Sequence, residues 1–293
     1  MRILILSRSS ELYSTRSLYN AARRRGHFVR VIDHVLCDMY VSNGKLELYF
    51  NGQPVQGYDA VIPRIGHTVT QTGASVIRQL ESMGVHTILE ADALLNARNK
   101  LSCLQILSMN GIPVPASLYC NNQYFISELS DKIENFPKII KLVSGTHGLG
   151  VLKADDQKTM ESMMEAFLGV RQKILLQEFV KESKGSDVRA FVVDGEVVAS
   201  MVRQAEEGEF RSNLHRGATA TSAQLTDEEN ECALRAVEIM GLKVAGVDML
   251  RSDRGPLVLE VNASPGLEGI ETVTKVDVSK RIIQYIERSV KNK

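Results

Sequence analysis

The run Glu260-Val261-Asn262-Ala263-Ser264-Pro265-Gly266 constrains this chain most, and it follows the apolar residues Pro256-Leu257-Val258-Leu259. The apolar run reads as a strand. Side chains alternate along a strand, so Glu260 and Asn262 project to one face. One offers a carboxylate and the other an amide oxygen, hard donors suited to Mg²⁺ or Mn²⁺ and not to a soft metal. Upstream, Ala245-Gly246-Val247-Asp248-Met249-Leu250 reads as a second strand, with Ser252-Asp253-Arg254-Gly255 as the turn between them. A hairpin folded about Arg254 brings Asp248 opposite Glu260. Three oxygen donors, Asp248, Glu260 and Asn262, then converge on one side of a two-stranded ribbon. The plainer alternative is a surface hairpin with scattered polar residues. It is disfavoured because the acids interrupt otherwise apolar strands, where burial without a cation is costly.

The length of 293 residues allows two domains, or one domain with lobes. Lys plus Arg equals Asp plus Glu at 35 each, so net charge gives no support for bulk nucleic-acid binding. The opening run Met1-Arg2-Ile3-Leu4-Ile5-Leu6-Ser7 is too short for a signal peptide and reads as a first buried strand. No apolar segment approaches membrane-spanning length. Cys37, Cys103, Cys120 and Cys232 are far apart and form no CxxC pair. They fit small buried residues in a reducing cytosol better than a zinc site or a disulfide scaffold, and a cytoplasmic location is expected.

Residues 1 to about 90 alternate strand and helix, the pattern of an α/β layer with a mainly parallel sheet. Strands are expected at 2–7, 28–33, 45–51 and 60–63, with helices at 14–25 and 73–83 closed by Gly26 and Gly84. No GxGxxG follows the first strand, which argues against a dinucleotide site. Further on, the spacing predicts helices over 94–110, 159–168, 227–240 and 282–290. Strands are expected at 138–143, 150–152 and 174–180, and a hairpin joins 187–193 to 196–201 about Asp194-Gly195. Met160, Met163 and Met164 fall at helical spacing and read as core filling.

Four segments carry chemistry. Residues 142–151 place Gly145, Gly148 and Gly150 between two strands, where backbone N–H groups can turn toward an anion. The segment lacks a Gly-Lys-Ser/Thr ending and a following helix, so it reads as a flap over phosphates and not as a Walker A loop. Lys141, ending the strand before it, can serve as a point charge on phosphate. Gln177-Glu178-Phe179-Val180 ends another buried strand and can offer backbone groups to a flat base, with Asp187 just beyond; solvated acids at a strand end are the bland reading. Phe210-Arg211-Ser212-Asn213-Leu214-His215-Arg216-Gly217 is dense in donors, and arginine forks hold carboxylates and phosphoryl oxygens at two points. Arg23-Arg24-Arg25, by contrast, is explained by a helix C-terminus.

Taken in order, Lys100, Lys141, the glycine loop, Gln177 to Val180, Asp187, Arg211-Ser212-Asn213, Asp248 and Glu260 to Gly266 resemble the ATP-grasp superfamily of carboxylate–amine ligases. Pro63-Arg64-Ile65-Gly66, the segment from Phe210 to Gly217 and residues 260–269 resemble the RimK-like family of α-L-glutamate ligases within it, over nearly the whole chain. The resemblance implies an α/β fold of the ATP-grasp kind. A small N-terminal parallel α/β layer, residues 1–96, would precede a two-lobed ATP-grasp domain, residues 97–293, with lobes of about 97–180 and 181–293. It implies ATP and two Mg²⁺ or Mn²⁺ ions. Lys100, Lys141, Gly145 and Gly148 would lie against phosphates, Glu178, Phe179 and Val180 at the adenine, and Asp187 at the ribose. Arg211, Ser212 and Asn213 would lie at the terminal phosphates, with Arg211 and Asn213 steadying the acyl phosphate. Asp248, Glu260 and Asn262 would hold the metals, Glu260 bridging. Arg64, Arg203 and Arg216 are candidates for a substrate carboxylate.

The implied activity joins L-glutamate to a carboxylate acceptor, the C-terminus of a small-subunit ribosomal protein or a growing poly-glutamate, in a cytoplasmic homo-oligomer without membrane or nucleic acid. The chemistry agrees with that residue set. Phosphorylating a carboxylate brings two anions together, which calls for cations and not for a nucleophilic side chain. The alternatives are the same chemistry on another small-molecule or carrier-protein acceptor, or a nucleotide-binding regulator without turnover. The intact Arg211, Asp248, Glu260 and Asn262 weigh against the regulator.

Overall fold

The computed structural model describes residues 1–122, 124–143, 150–212 and 217–291. Its first part comprises β1 (Arg2–Leu6), α1 (Tyr13–Arg24), β2 (Phe28–Ile32), β3 (Cys37–Ser42), β4 (Lys45–Phe50), β5 (Gln53–Pro54), β6 (Ala60–Pro63), α2 (Thr70–Ser82) and β7 (His86–Thr87). β2, β1, β6 and β7 form a parallel sheet in that order. β1 is apolar without alternation because both of its faces are covered. Ile3 and Ile5 pack with Leu18, Ala21 and Ala22 of α1, while Leu4 and Leu6 pack with Val76, Ile77 and Leu80 of α2.

The small antiparallel sheet β3-β4-β5 is larger than the sequence suggests. The strand expected at 45–51 turns at Asn51-Gly52 into β5, and β3 also pairs along the whole of β4. Met39, Tyr40 and Val41 of β3 are all exposed, so no inside–outside alternation marks it as a strand.

The helix expected over 94–110 is two helices, α3 (Ala91–Arg98) and α4 (Lys100–Met109). Asn99 leaves helical geometry at ψ 105°, and its side-chain oxygen accepts from the Leu101 and Ser102 N–H groups. An N-cap of this kind starts a new helix in place of continuing the old one.

Next come β8 (Ser117–Cys120), α5 (Ile126–Ser130), β9 (Lys138–Leu142), β10 (Val151–Ala154), α6 (Gln157–Gly169) and β11 (Ile174–Glu178). The sheet order is β10-β9-β11-β8, wholly antiparallel. Met160 and Met164 of α6 are fully buried in its core, as their spacing predicts.

The last part contains β12 (Ser186–Val193), β13 (Glu196–Gln204), β14 (Thr219–Ser222), α7 (Asp227–Ile239), β15 (Val244–Ser252), β16 (Gly255–Asn262), α8 (Glu268–Thr274) and α9 (Val278–Lys291). The antiparallel order is β14-β13-β12-β15-β16. Thr226 and Glu229 start α7 with a reciprocal capping box. Alternation along β12 divides the sheet. Val188, Ala190 and Val192 pack on the α7 side, and Phe191 and Val193 pack on the opposite side with α9 residues Ile282, Ile283 and Ile286. Asp187 and Arg189 share that second face, so it changes from polar to apolar along its length. Among the described residues no helix is long and apolar enough to cross a membrane.

Candidate active site

The hairpin β15–β16 sets Asp248 opposite Glu260 and Gly246 opposite Asn262. A β-bulge between turn and site makes this possible. Met249 pairs with Val258, but Asp248 pairs with Glu260, leaving Leu259 as the extra residue. Val258 therefore enters the apolar core while Glu260, two residues on, stands exposed on the other face. Gly246 is needed for space, because a Cβ there would come 3.1 Å from the Pro265 side chain.

Four charged side chains on β12, β13 and β15 form a buried chain of alternating sign. Asp187 faces Arg203, and Arg189 faces Asp248, across neighbouring strands. Arg203 grips Asp187 through two bonds of 2.6 Å and reaches Asp248 at 2.8 Å. Arg189 grips Asp248 at 2.7 and 2.6 Å. The Ser212 hydroxyl donates to Asp187 at 2.6 Å. Burial opposes the charge on Asp248, but Arg189 and Arg203 outweigh it and hold the carboxyl well below the usual range. Burial raises Asp187, with Asp248 pushing the same way and Arg203 opposing. Asp187, expected at the ribose, and Arg203, expected at a substrate carboxylate, are thus each other's partners. At 5% and 4% exposure neither presents its charge to solvent. Separated, each would be a buried unpaired charge.

A second set of charges is cationic. Lys141 of β9 donates to Gln177 of β11 at 2.6 Å, and Lys100 at the start of α4 donates to the Val143 carbonyl at 3.0 Å. Burial pushes Lys141 down to about 8, against the pull of Glu260, while Lys100 pushes it further down. Burial also lowers Lys100, with Glu260 opposing and Arg98 adding to the shift. Arg98 is lowered by burial and is itself within electrostatic reach of Glu260. Three cations from α3, α4 and β9 therefore lie within electrostatic reach of one exposed carboxylate.

Arg64, directly after β6, donates to the Pro265 carbonyl at 2.7 Å, and the Leu267 N–H donates to Ser14 of α1 at 3.0 Å. These bonds draw residues 265–267 against the ends of the parallel strands. Glu178 accepts from Ala116 N–H at 2.8 Å and from Arg254, at the hairpin tip, at 2.8 Å to both oxygens. Val180 is buried, and its carbonyl accepts from the Ser183 hydroxyl at 2.7 Å, while Phe179 is half-buried. Arg211 is held by Glu209 at 3.0 and 2.5 Å and reaches the Val151 carbonyl at 3.3 Å; that bond with Arg211 lowers Glu209 to about 2. Gly145, Gly148, Asn213 and Arg216 lie outside the described residues.

Two charged residues of the site were missed in the sequence. Arg189 had a signal, since it falls two residues after Asp187 and so shares its strand face. Arg98 had none beyond helix-dipole complementarity, because what distinguishes it is its approach to residues distant in sequence.

Among the described residues no group of three or more His, Cys, Asp or Glu side chains is placed to hold a metal. The open donors are the exposed Glu260 and the Asn262 amide oxygen, which also accepts from the Ser264 N–H at 3.0 Å. Asp248 stands behind them with both oxygens taken by arginines. So sparse an oxygen set suits Mg²⁺, which takes one or two protein carboxylates and completes its shell with water and phosphate oxygens.

Cations near one carboxylate at the end of an antiparallel hairpin suit phosphoryl chemistry, and the family matches give the class, a ligase of the ATP-grasp type. Residues 1–94 match the RimK PreATP-grasp domain and residues 97–286 the RimK-like ATP-grasp domain. The chain is 49% identical to a probable alpha-L-glutamate ligase of Syntrophotalea carbinolica over 291 residues, covering 99% of this chain and 97% of the relative. Among solved structures it resembles the ATP-grasp ligase PsnB complexed with a phosphomimetic variant of a minimal precursor, Mg and ADP. That likeness has a TM-score of 0.77 at 21% identity, over 99% of this chain and 98% of the other. It also resembles a D-alanine–D-alanine ligase of Bacillus anthracis complexed with ATP, with a TM-score of 0.70 at 19% identity, over 100% and 99%. The structural likenesses show the fold. The chain belongs to the RimK-like ATP-grasp family, and it is an ATP-dependent, ADP-forming carbon–nitrogen ligase.

Proposed function

We propose that the protein joins the amine of L-glutamate to a peptide-terminal carboxylate, with ATP as phosphoryl donor and Mg²⁺ as its cation. The observation that carries this reading is that Lys100 and Lys141 lie within electrostatic reach of the exposed Glu260. The relatives named for glutamate support the donor, and the precursor-bound PsnB supports a peptide acceptor. The finer acceptor is the C-terminus of a small-subunit ribosomal protein, with repeated addition giving a glutamate tail. The catalytic part begins near residue 97, and its lobes meet near residue 180.

A carboxylate is a poor electrophile at neutral pH. Its oxygen attacks the γ-phosphorus, the bond to the bridging oxygen breaks, and ADP leaves, giving an acyl phosphate. The glutamate amine, as free base, attacks the acyl carbon. The bond to phosphate breaks, and the nitrogen releases a proton to solvent as the amide forms. The first step brings two anions together, so Lys100 and Lys141 are placed on the phosphates, where their charge is most needed. Lys141 keeps its charge at neutral pH because it falls only to about 8. Glu260 and Asn262, with Asp248 behind them, would hold Mg²⁺, or two such ions or Mn²⁺, and the bound cation would neutralise phosphate oxygens. Residues 178–180 take the adenine, and Arg211 turns from Glu209 to the terminal phosphates.

Mass spectrometry after incubation with ATP, Mg²⁺ and L-glutamate, with and without purified small-subunit ribosomal proteins, tests this. The expected result is a ladder of added glutamate residues on one of those proteins. ADP formation with a ladder only on another acceptor would leave the ligase and remove the ribosomal target. No glutamate addition to any acceptor would remove the proposal.

A further inference from the structure

A second anion-binding element lies beside the phosphoryl site. In the order β2-β1-β6-β7 the connection after β1 runs to β2 on one side and the connection after β6 runs to β7 on the other, so the strand order reverses between β1 and β6. The connections after these two strands diverge, and open parallel sheets take ligands in the crevice so formed, at the carboxyl ends of the strands. Arg64 directly follows β6, and Arg98 closes α3.

Among the described residues each guanidinium makes one bond, Arg64 to the Pro265 carbonyl at 2.7 Å and Arg98 to the Ile65 carbonyl at 2.7 Å. Neither forms an ion pair with a carboxylate among the described residues, whereas Arg189, Arg203 and Arg211 each do. The Arg98 Nε–H is buried with no partner among the described residues. Burial and the charge of Arg98 together press Arg64 down to about 10. Two half-buried like charges and an orphaned donor, with no salt-bridged carboxylate among the described residues, favour the arrival of an anion. A planar, two-oxygen carboxylate matches the forked donors, whereas phosphate already has the point charges of Lys100 and Lys141 nearby. The Arg64–Pro265 bond ties the crevice to the end of the Glu260 strand, so an anion held there lies beside the reacting groups.

Resting on the ligase reading, we infer that Arg64 and Arg98 form a subsite for a substrate carboxylate. Two substrates bring one, the amine donor and the peptide terminus. Calorimetric titration of the full chain with L-glutamate, and separately with a synthetic peptide ending in glutamate, distinguishes them without depending on turnover. Arg98→Gln should weaken binding of one of the two by about 30-fold or more, the loss typical of a charged contact, while ATP binding stays within about twofold. The ligand that weakens is the one the subsite holds. If Arg98→Gln fails to fold, Arg98→Lys and Arg64→Lys keep charge and stem but lose the fork, and the same loss is expected. Unchanged binding of both ligands in the folded variants, weakening of ATP alone, or no binding of either ligand by the wild type would overturn the subsite. Intact carboxylate binding without amide formation would instead sink the ligase reading and leave the subsite standing.

Discussion

The two charged regions that meet at Glu260 solve opposite problems. On the sheet face, Asp187, Arg203, Asp248 and Arg189 form a closed series in which each charge touches one of opposite sign. In the other region Arg64, Arg98, Lys100 and Lys141 carry charge of one sign, and their hydrogen-bond partners among the described residues include carbonyls and an amide. Buried charge is tolerated in the first region because it is matched within the fold. In the second it is half-buried, and the exposed Glu260 is a carboxylate within electrostatic reach of Arg98, Lys100 and Lys141. The first region builds a rigid floor and the second a receptor.

The largest effect separating the two is on stability. Arg203→Leu strands Asp187 and half of Asp248 in the interior, a loss of about 3–5 kcal/mol. Arg98→Gln removes an unmatched charge and should change stability by less than about 1 kcal/mol. Urea unfolding of both variants measures the contrast; equal losses would mean that both regions are structural. Next is Glu260→Gln. The side chain is exposed, so the fold should persist. Turnover should fall by about 10²-fold or more, as when a group poised on developing charge is removed. ADP release alongside a melting curve checks it, and near-normal turnover would place the chemistry elsewhere.

A smaller effect comes from pH. Lys141, depressed from 10.5 to about 8, is charged below about 8 and neutral above it. Between those values the unfolded chain holds a proton that the folded chain lacks, so this residue's contribution to stability rises with pH. ATP affinity moves the other way, falling by up to about tenfold per pH unit above about 8 as the cation is lost. Lys141→Arg should flatten the affinity profile, and an unchanged profile would remove Lys141 from the phosphates. The smallest effect belongs to the Arg254–Glu178 pair. With Arg254 59% exposed, Arg254→Ala should cost about 0–1 kcal/mol by the same urea measurement, giving a floor for the buried network.

What the sequence disclosed follows from the range of the interactions. The parallel first layer is legible because β1 is apolar throughout, and the hairpin because its turn and strands are contiguous. The opposition of Asp248 and Glu260 is also local. The bulge at Leu259 is not legible, since a strand of unbroken alternation would have put Val258 and Glu260 on one face. Asn99 reads as an ordinary helical residue until its side chain is seen capping the next helix. The partners of Arg203 lie 16 and 45 residues away, and alternation tells which face a side chain takes but not which charge it meets there.

The acid–base–acid–base series on the sheet face has one further consequence. Its two positive and two negative charges cancel, so its field dies away within a few ångströms, like that of a fragment of ionic crystal. A nucleotide approaching through solvent is blind to it. The long-range field on an approaching anion would come from Arg64, Arg98, Lys100 and Lys141, and added salt shortens the reach of that field. Ionic strength thus acts on capture while leaving the floor of the site intact.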